Sequence, residues 1–405
     1  MNFDIIIIGG GAAGFFTAIN AAEINPHLKI AILERGKEVL TKVKISGGGR
    51  CNVTHAQFIP KELSLNYPRG EKELLGPFHS FMTGDTMEWF QKRGVELKIE
   101  DDGRIFPVSD DSQSIINCFL QEVERLKIKV FKGEAVQSFQ QQDNIWHIKT
   151  KNTDFSAEKI MLAAGSNPKI WKLLKKLGHS IIEPVPSLFT FNITDERIKD
   201  IPGIATEAAV KISAKNINLA STGPLLITHW GMSGPGILKL SAWGARALET
   251  LDYKFELLVN WLPETTSEEI LERLKELKIA LAKQQVLKNA QFGLPKRLWR
   301  NLAQSVGIER DTTWANLNKK QLQALAKELT AGIFQVNGKS TFKEEFVTAG
   351  GVDLKEIDFK TFESKLYKNL FLAGEVLNID AITGGFNFQN AWTGAYLAAQ
   401  HIAKD

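Results

Sequence analysis

Gly9, Gly11 and Gly14 follow directly on the apolar run Ile5-Ile6-Ile7-Ile8, and Glu34 closes the next apolar run, 20 positions after Gly14. These residue types at this spacing bind a dinucleotide. Gly9 permits a tight turn, Gly11 lets the backbone touch a pyrophosphate, and Gly14 lets a helix pack close to a strand. Ala12 and Ala13 open that helix, whose first N–H groups and partial positive charge suit phosphate oxygens. A carboxylate at Glu34 accepts ribose hydroxyls and disfavours a 2′-phosphate, so a bare adenosine ribose, from FAD or NAD, is expected.

A second group of residues could do chemistry beside such a ligand. Ser46-Gly47-Gly48-Gly49-Arg50-Cys51-Asn52 places three glycines, at an entropic cost, before an arginine, a thiol and an amide. A backbone of this kind must lie against something, such as a cofactor phosphate or ring. Arg50 could bind a carboxylate or enolate or balance a reduced flavin. Cys51 could be reactive if Arg50 lowers its pKa, with packing as the alternative in the absence of a resolving cysteine. His229, in Thr228-His229-Trp230-Gly231, could donate a proton or simply stabilise a turn.

The elements that must position these groups follow from local pattern. Ile5–Ile8 reads as a buried strand leading into the glycines and a helix, and Lys29–Leu33 as a second strand. Leu97–Ile99 and Arg104–Phe106 flank a hairpin signal at Asp101-Asp102-Gly103. Helical pattern runs over 85–93 and Ser112–Lys127, and strands are expected at Lys129–Phe131, Ala135–Phe139, Ile145–Thr150 and Lys159–Leu162. The last ends on Ala163-Ala164-Gly165, small enough for a close approach. Residues 187–262 read as β structure. Capping signals at Thr266/Glu269 and Asn318/Gln321 announce helices in 264–330, and 333–348 returns to strand character. Near the C-terminus, Asn369–Ala373 leads into Gly374-Glu375, and Gly384-Gly385-Phe386-Asn387 opens an Ala-rich helix. Two glycine-to-helix junctions at opposite ends of the chain addressing one ligand would make the nucleotide domain discontinuous.

Composition excludes several classes. Among 405 residues, 43% are apolar and the net charge is +4, which gives no reason to expect nucleic acid. Two cysteines without a CxxC argue against a disulfide scaffold, a zinc site or a redox dithiol. Asp4 and the Gly9–Gly11 break argue against a signal peptide or span over 5–22. A soluble cytoplasmic protein without a membrane partner is expected. There is no second GxGxxG, and one large ligand held by distant segments favours FAD over NAD.

In order along the chain, Gly9–Gly14, Glu34-Arg35-Gly36, the Ser46–Asn52 loop, Gly103-Arg104-x-Phe106-Pro107, His229-x-Gly231-x-Ser233-Gly234-Pro235, Gly350-Gly351-Val352, Ala373-Gly374-Glu375 and Gly384–Asn387 resemble the BaiN-type (YhiN-like) bacterial flavoprotein family across essentially the whole sequence. The resemblance implies an α/β fold: a discontinuous, glutathione-reductase-like FAD-binding Rossmann domain (1–186 and 345–405), an inserted β-barrel-like domain (187–263 and 331–344) and a helical subdomain (264–330). It implies non-covalent FAD. Contacts are implied at Gly9, Gly11, Ala12, Ala13, Gly14, Glu34, Arg35, Lys42, Ser46, Gly47, Gly48, Arg50 and Asn52. Val136 would lie beside the adenine, with Ala164, Gly165, Gly374 and Glu375 along the pyrophosphate and ribityl chain. Gly384, Gly385, Phe386, Asn387, Gln389, Asn390 and Ala391 would face the isoalloxazine ring. Asn378, Ala381 and Phe386 depart from the family's Asp, Gly and Tyr beside that ring. The expected function is an FAD-dependent oxidoreductase moving hydride between flavin and a small organic substrate, with NAD(P)H or oxygen as the other partner. A non-catalytic flavin protein presenting 264–330 to a partner is the alternative, and an RNA-modifying enzyme a weaker third.

Overall fold

The computed structural model describes residues 1–214, 217–340 and 347–404. The chain divides into two compact units, Met1–Val185 with Val347–Asp405, and Pro186–Phe346.

The first unit is built on five parallel strands in the order Leu370–Leu372, Asp154–Leu162, Asn2–Ile8, Ile30–Glu34, Lys129–Lys132. Ile5 to Ile8 are at most 4% exposed, as a strand covered on both faces requires. The chain steps outward from the first strand in one direction, then returns to pair the strand Asp154–Leu162 on its other side. Ligands of such sheets bind at the carboxyl ends where the order reverses. Two antiparallel strands, Val136–Gln142 and Ile145–Thr150, extend from Asp154–Leu162. Helix Ala12–Ile24 packs on the terminal helix Phe386–Ile402, and the Thr17 hydroxyl lies between them, 2.9 Å from Ala13 O and 3.4 Å from Ala395 O. Trp392, fully buried, donates from Nε1 to Val53 O at 2.9 Å and so ties the terminal helix to the segment after the triple glycine.

The second unit is a seven-stranded sheet whose strand order begins with Gly332–Asn337 and ends with Lys339–Ser340. Those two strands are joined by Gly338 alone. Its N–H donates to Tyr253 O (2.8 Å) and its carbonyl accepts from Asn192 N–H (3.0 Å). The two edges of the sheet therefore meet, and the sheet curls into a barrel, which removes open edges. Helices Ser267–Ala280, Lys296–Ser305 and Lys319–Ala331 bury Leu274, Leu298, Trp299, Leu302, Leu325 and Leu329 in one core with the strand residues Val210, Leu257 and Phe334. The helical residues 264–330 thus share a unit and a core with the strands rather than forming a third unit. Both expected caps form: Thr266 and Glu269 bond reciprocally, as do Asn318 and Gln321.

One element within 187–262 differs from expectation. Pro235–Glu249 is a helix. Ile237, Leu240, Ser241, Gly244, Ala245 and Leu248 are buried at helical spacing and Pro235 occupies its first turn, a signal present in the sequence but masked by the β pattern on either side. The strand character expected at 341–346 lies outside the described residues.

The shared core yields a prediction. Leu298→Ala should lower stability by about 2–5 kcal/mol, read from the denaturant midpoint. A loss below about 1 kcal/mol would mean that the helices do not share the strands' core.

Candidate cofactor site

The site lies within the first unit, at the carboxyl ends of the first strand and of Asp154–Leu162. Gly9 adopts φ +121°, and a Cβ there would lie 2.3 Å from Ala163 O; a Cβ on Gly14 would lie 2.0 Å from Gly9 O. Both glycines are therefore required by the protein's own packing. Gly11 is different: a Cβ there meets no protein atom within 4 Å. The space above it, at the N-terminus of helix Ala12–Ile24, is where a pyrophosphate fits.

Glu34 is half-buried. Its Oε2 accepts from Gly10 N–H (2.9 Å) and its Oε1 from Gly36 N–H (2.7 Å). Each carboxylate oxygen has a further lone pair, so the side chain is oriented yet still able to accept ribose hydroxyls. Arg35 is exposed beside it. The backbone oxygen of Glu34 accepts from Glu134 N–H at 2.9 Å, which brings Val136, two residues on, to the end of this strand.

The C-terminal junction arrives at the same place. A Cβ on Gly374 would be 3.6 Å from Ala13 Cβ and 4.0 Å from Ala391 Cβ, so Gly374 lies between the two helix N-termini. Glu375 follows, 3.9 Å from the Cβ position of Gly165 and paired with Lys42 at 2.6 Å. Ala164 and Gly165 complete this edge. Lys42 is more than half exposed, so the pair adds little stability by itself. It joins the segment before the triple glycine to the Gly-Glu turn.

In the loop, Ser46 Oγ donates to Val43 O, and Gly47, Gly48, Gly49 and Cys51 all have positive φ. Gly47 abuts Phe106, whose Cε1 would lie 2.9 Å from a Cβ. Arg50 stacks on that same ring (3.8 Å) and pairs with Glu100 (2.6 Å) and Asp110 (3.3 Å). The hydrogen bond to Glu100 holds the guanidinium above its ordinary pKa range. Arg50 is thus a brace of the loop as well as a nearby cation.

Asn52 turns inward. Its Oδ1 lies 2.8 Å from the Cβ position of Gly385 and, like Asn390 Oδ1, has no hydrogen-bond partner among the described residues. The two side chains are 9% and 1% exposed. An unsatisfied buried oxygen costs about 1–3 kcal/mol. One of the two lies beside Gly385 and the other on the fifth residue of the terminal helix; such acceptors suit a ligand that offers a hydrogen-bond donor, as an isoalloxazine ring does with the single N–H at its pyrimidine end. With the cradle over Gly11, these orphaned oxygens show that the residues present fit FAD.

Three expected roles are corrected. Cys51 is fully buried, and burial pushes its thiol up to about 12; a protonated, inaccessible thiol is no nucleophile. Gln389 is fully buried and accepts from Thr54 (2.6 Å) and Thr86 (3.0 Å) while donating to Thr393 (3.1 Å), so it knits the helix to its neighbours rather than facing a ligand. The Asn387 side chain bonds both the N–H and the O of Ala381 (3.0 and 3.2 Å) and clasps the preceding loop. His229 lies in the second unit, exposed in the turn before strand Gly231–Ser233.

Other residues at the junction carried no motif. His55 Nδ1 is 3.0 Å from Gly384 O, and its ring stacks on Phe386 at 4.4 Å. Tyr67, fully buried with its phenol pushed well above its ordinary range by desolvation, donates to Phe386 O at 2.6 Å. Arg69 makes a two-pronged pair with fully buried Asp380. An aromatic or charged residue close behind the Ser46–Asn52 loop was the available signal for His55. Nothing local marks Tyr67 or Arg69, whose partners lie more than 300 residues away.

A family model described as the HI0933-like protein Rossmann domain matches residues 3–401. The chain belongs to this family. It is the family to which the motifs pointed, and with it the protein is an FAD-dependent oxidoreductase. Several relatives match over nearly their whole length, among them the following two. The 3-dehydro-bile acid delta(4,6)-reductase of Clostridium scindens is 27% identical, covering 98% of this chain and 98% of its own. The ribosomal RNA dihydrouridine synthase of Escherichia coli is 28% identical, covering 99% and 98%. The 3-ketosteroid-delta4-(5alpha)-dehydrogenase of Rhodococcus jostii has a TM-score of 0.52 at 12% identity, covering 100% of this chain and 97% of its own, which shows a shared fold. No described helix is long and apolar enough to cross a membrane.

Two predictions follow from the packing. Gly11→Ala should leave the thermal midpoint of the FAD-free protein unchanged while weakening FAD binding at least tenfold, measured by flavin fluorescence titration; equal loss of fold and binding would refute an open cradle at Gly11. Cys51 should resist alkylation by iodoacetamide at pH 8 in the native protein, and mass-spectrometric labelling at Cys51 without denaturant would contradict its burial.

Proposed function

We propose that the protein reduces a carbon–carbon double bond conjugated to a carbonyl group, with NAD(P)H as the electron source. The observation that carries this is the kind of bond named in common by the two relatives described above. A delta(4,6)-reductase of a 3-dehydro compound and a synthase of dihydrouridine are named for unlike substrates. Both names describe saturation of an alkene conjugated to a carbonyl. When bound, FAD supplies a two-electron carrier able to accept and return hydride.

The chain's own residues do the rest. Glu34, the N–H groups at the start of helix Ala12–Ile24 and the Gly374-Glu375 turn hold the adenosine and pyrophosphate. Asn52 or Asn390 would accept a hydrogen bond from the one N–H at the ring's pyrimidine end. The N-terminus of helix Phe386–Ile402 places a partial positive charge where the reduced ring carries negative charge. With no second GxGxxG in the sequence, the nicotinamide would reach the ring directly.

A specific observation also favours a uracil base in RNA as the alkene. From 277 to 308 the sequence holds Lys278, Lys283, Lys288, Lys296, Arg297 and Arg300 and no Asp or Glu. All but Lys278 are exposed, and those five pair with no carboxylate among the described residues. A modest net charge can hide a basic segment of this kind, and such segments bind phosphates through counterion release.

Anaerobic addition of NADH or NADPH to the holoprotein should bleach the flavin spectrum. Subsequent 2-cyclohexen-1-one, a 3-oxo-delta-4,6 steroid or unmodified ribosomal RNA should restore the colour for the true substrate class. A flavin that stays oxidised with both nucleotides overturns NAD(P)H as the donor. A reduced flavin that none of the three reoxidises overturns the conjugated alkene. On the RNA reading, the triple variant K296E/R297E/R300E should weaken RNA binding and flatten its salt dependence; an unchanged salt slope would remove that reading.

A further inference from the structure

Residues 56–65 run beside the ring site, and the chain is fastened to that site on both sides of them. Ahead of the segment, the Thr54 hydroxyl donates to Gln389 Oε1 at 2.6 Å, and the Thr54 carbonyl oxygen lies 2.5 Å from where a Cβ on Gly385 would be. Behind it, Asn66 O accepts from Ile382 N–H at 3.0 Å, and the Tyr67 phenol donates to Phe386 O at 2.6 Å. All four partners belong to the stretch 382–389 that opens the terminal helix. Phe58 is four residues from Thr54, at most about 14 Å of chain, and Leu65 adjoins Asn66. The segment therefore follows the rim of this junction.

What the segment presents to solvent is apolar. Phe58 and Ile59 are 51% and 53% exposed and Leu65 is 48% exposed, while Leu63 and Tyr67 are fully buried and anchor the chain. A single exposed apolar side chain is ordinary. Three within eight residues, beside a space that must admit a substrate, mark a surface that gains by being covered. The short helix Pro60–Ser64 holds them in place: Leu63 N–H donates to Ile59 O (2.9 Å) and the Ser64 hydroxyl to Lys61 O (2.8 Å). Ile59 and Leu65 thus sit at the two ends of a helical turn rather than on a free loop. The only charges in the segment are Lys61, paired with Glu71 at 3.3 Å, and Glu62. It offers no net positive charge to phosphates, so charge and polarity both suit a neutral, apolar occupant.

We propose that Phe58, Ile59 and Leu65 form the contact surface for the carbon skeleton of the substrate, and that this substrate is a neutral, freely diffusing enone with an apolar tail or ring system rather than a base carried on a phosphate chain. The proposal rests on the conjugated-alkene reading and on the assignment of the 384–390 junction to the flavin ring. Two jobs are separated in this arrangement. The C=C–C=O unit is common to every candidate substrate and must meet the ring. The rest of the molecule is what differs, and an apolar rim recognises it by burial. Burial is non-directional and grows with the apolar area removed from water, so the rim prefers long skeletons to short ones without selecting one shape. The three side chains are specificity residues: they bind the part of the substrate that does not react, which lowers KM and leaves the hydride step to the flavin.

The test is a chain-length series on the oxidised holoprotein, in which nothing is reduced. Binding of 2-pentanone, 2-heptanone and 2-nonanone is measured by titration calorimetry. Each methylene that leaves water should tighten binding by up to about fourfold. In the double variant Phe58→Ser/Ile59→Ser the series should be nearly flat, with flavin content and thermal midpoint close to those of wild type. Ile59 is the N-cap of the short helix, a position that suits serine. Ile59→Ser and Leu65→Gln, each alone, therefore serve if the double variant loses FAD, and each should lower the chain-length dependence. A flat series in wild type overturns the proposal, as does a dependence that survives in the double variant or in both single ones. The turnover counterpart uses 3-penten-2-one, 3-hepten-2-one and 3-nonen-2-one as oxidants of the reduced flavin. KM should fall along that series in wild type and not in the variant, with kcat changing far less than KM; a variant that loses kcat equally for all three has a structural defect only, and overturns the proposal. Ribosomal RNA that reoxidises the flavin while no ketone binds also overturns it. The conjugated-alkene reading fails on a different result: the ketones bind with the chain-length dependence, yet no enone reoxidises the flavin. The ring-site assignment fails on a third, unchanged FAD affinity in both Asn52→Ala and Asn390→Ala.

Discussion

The structure depends on the close contact between the turn at Gly9 and the backbone at Ala163. With no room for a side chain at Gly9, and with Gly14 pressed on the Gly9 carbonyl, the first helix starts directly over the point where the strand order reverses. The parallel sheet then sends a second chain segment, Leu370–Leu372, to end nearby, and Gly374 carries it between Ala13 and Ala391. Two helices remote in sequence thereby come together at Gly374. A ligand with a diphosphate in its middle and an electron-accepting ring at one end matches that arrangement of fields.

Around this frame, polar groups divide into the satisfied and the unsatisfied, and the division marks the function. Gln389, Asn387 and Thr393 spend their hydrogen bonds inside the protein and fix the helix and loop. Asn52 and Asn390 leave buried oxygens without a partner among the described residues, that of Asn52 beside Gly385. A buried orphan is costly, and the one beside Gly385 lies where a ligand's donor could satisfy it. Arg50 shows the converse. Stacked on Phe106 and bonded to Glu100, it supports the glycine loop that delivers Asn52.

The second unit illustrates how a barrel and helices share one interior. Gly338 brings the ends of the strand order together, and the helices then cover the sheet with Leu298, Trp299 and Leu325. The acid-free stretch from 277 to 308 lies on these helices and their connections, so the elements that complete the core also carry these exposed cations.

Much of this was legible in the sequence, because short-range physics determines it. The strand–glycine–helix fingerprint, Glu34, the two capping boxes, the Leu97–Pro107 hairpin and the C-terminal Gly-Gly junction all depend on neighbours within about 30 residues, and their residue types state their conformation. Helix Pro235–Glu249 was also written there, in a buried 3.6-residue period, although adjoining strands obscured it. What only the tertiary structure decided was which side chains bond within the protein and which are left without a partner among the described residues. Cys51 and Asn52 are consecutive, yet one is an inert buried thiol and the other an unsatisfied amide beside Gly385. Gln389 and Asn390 divide in the same way. A one-residue step on a helix or a tight turn rotates a side chain by about 100°, and whether it then meets Thr54, water or a ligand depends on a segment more than 300 residues distant. Tyr67 and Arg69 reach Phe386 and Asp380 only through such contacts, and no local pattern encodes them.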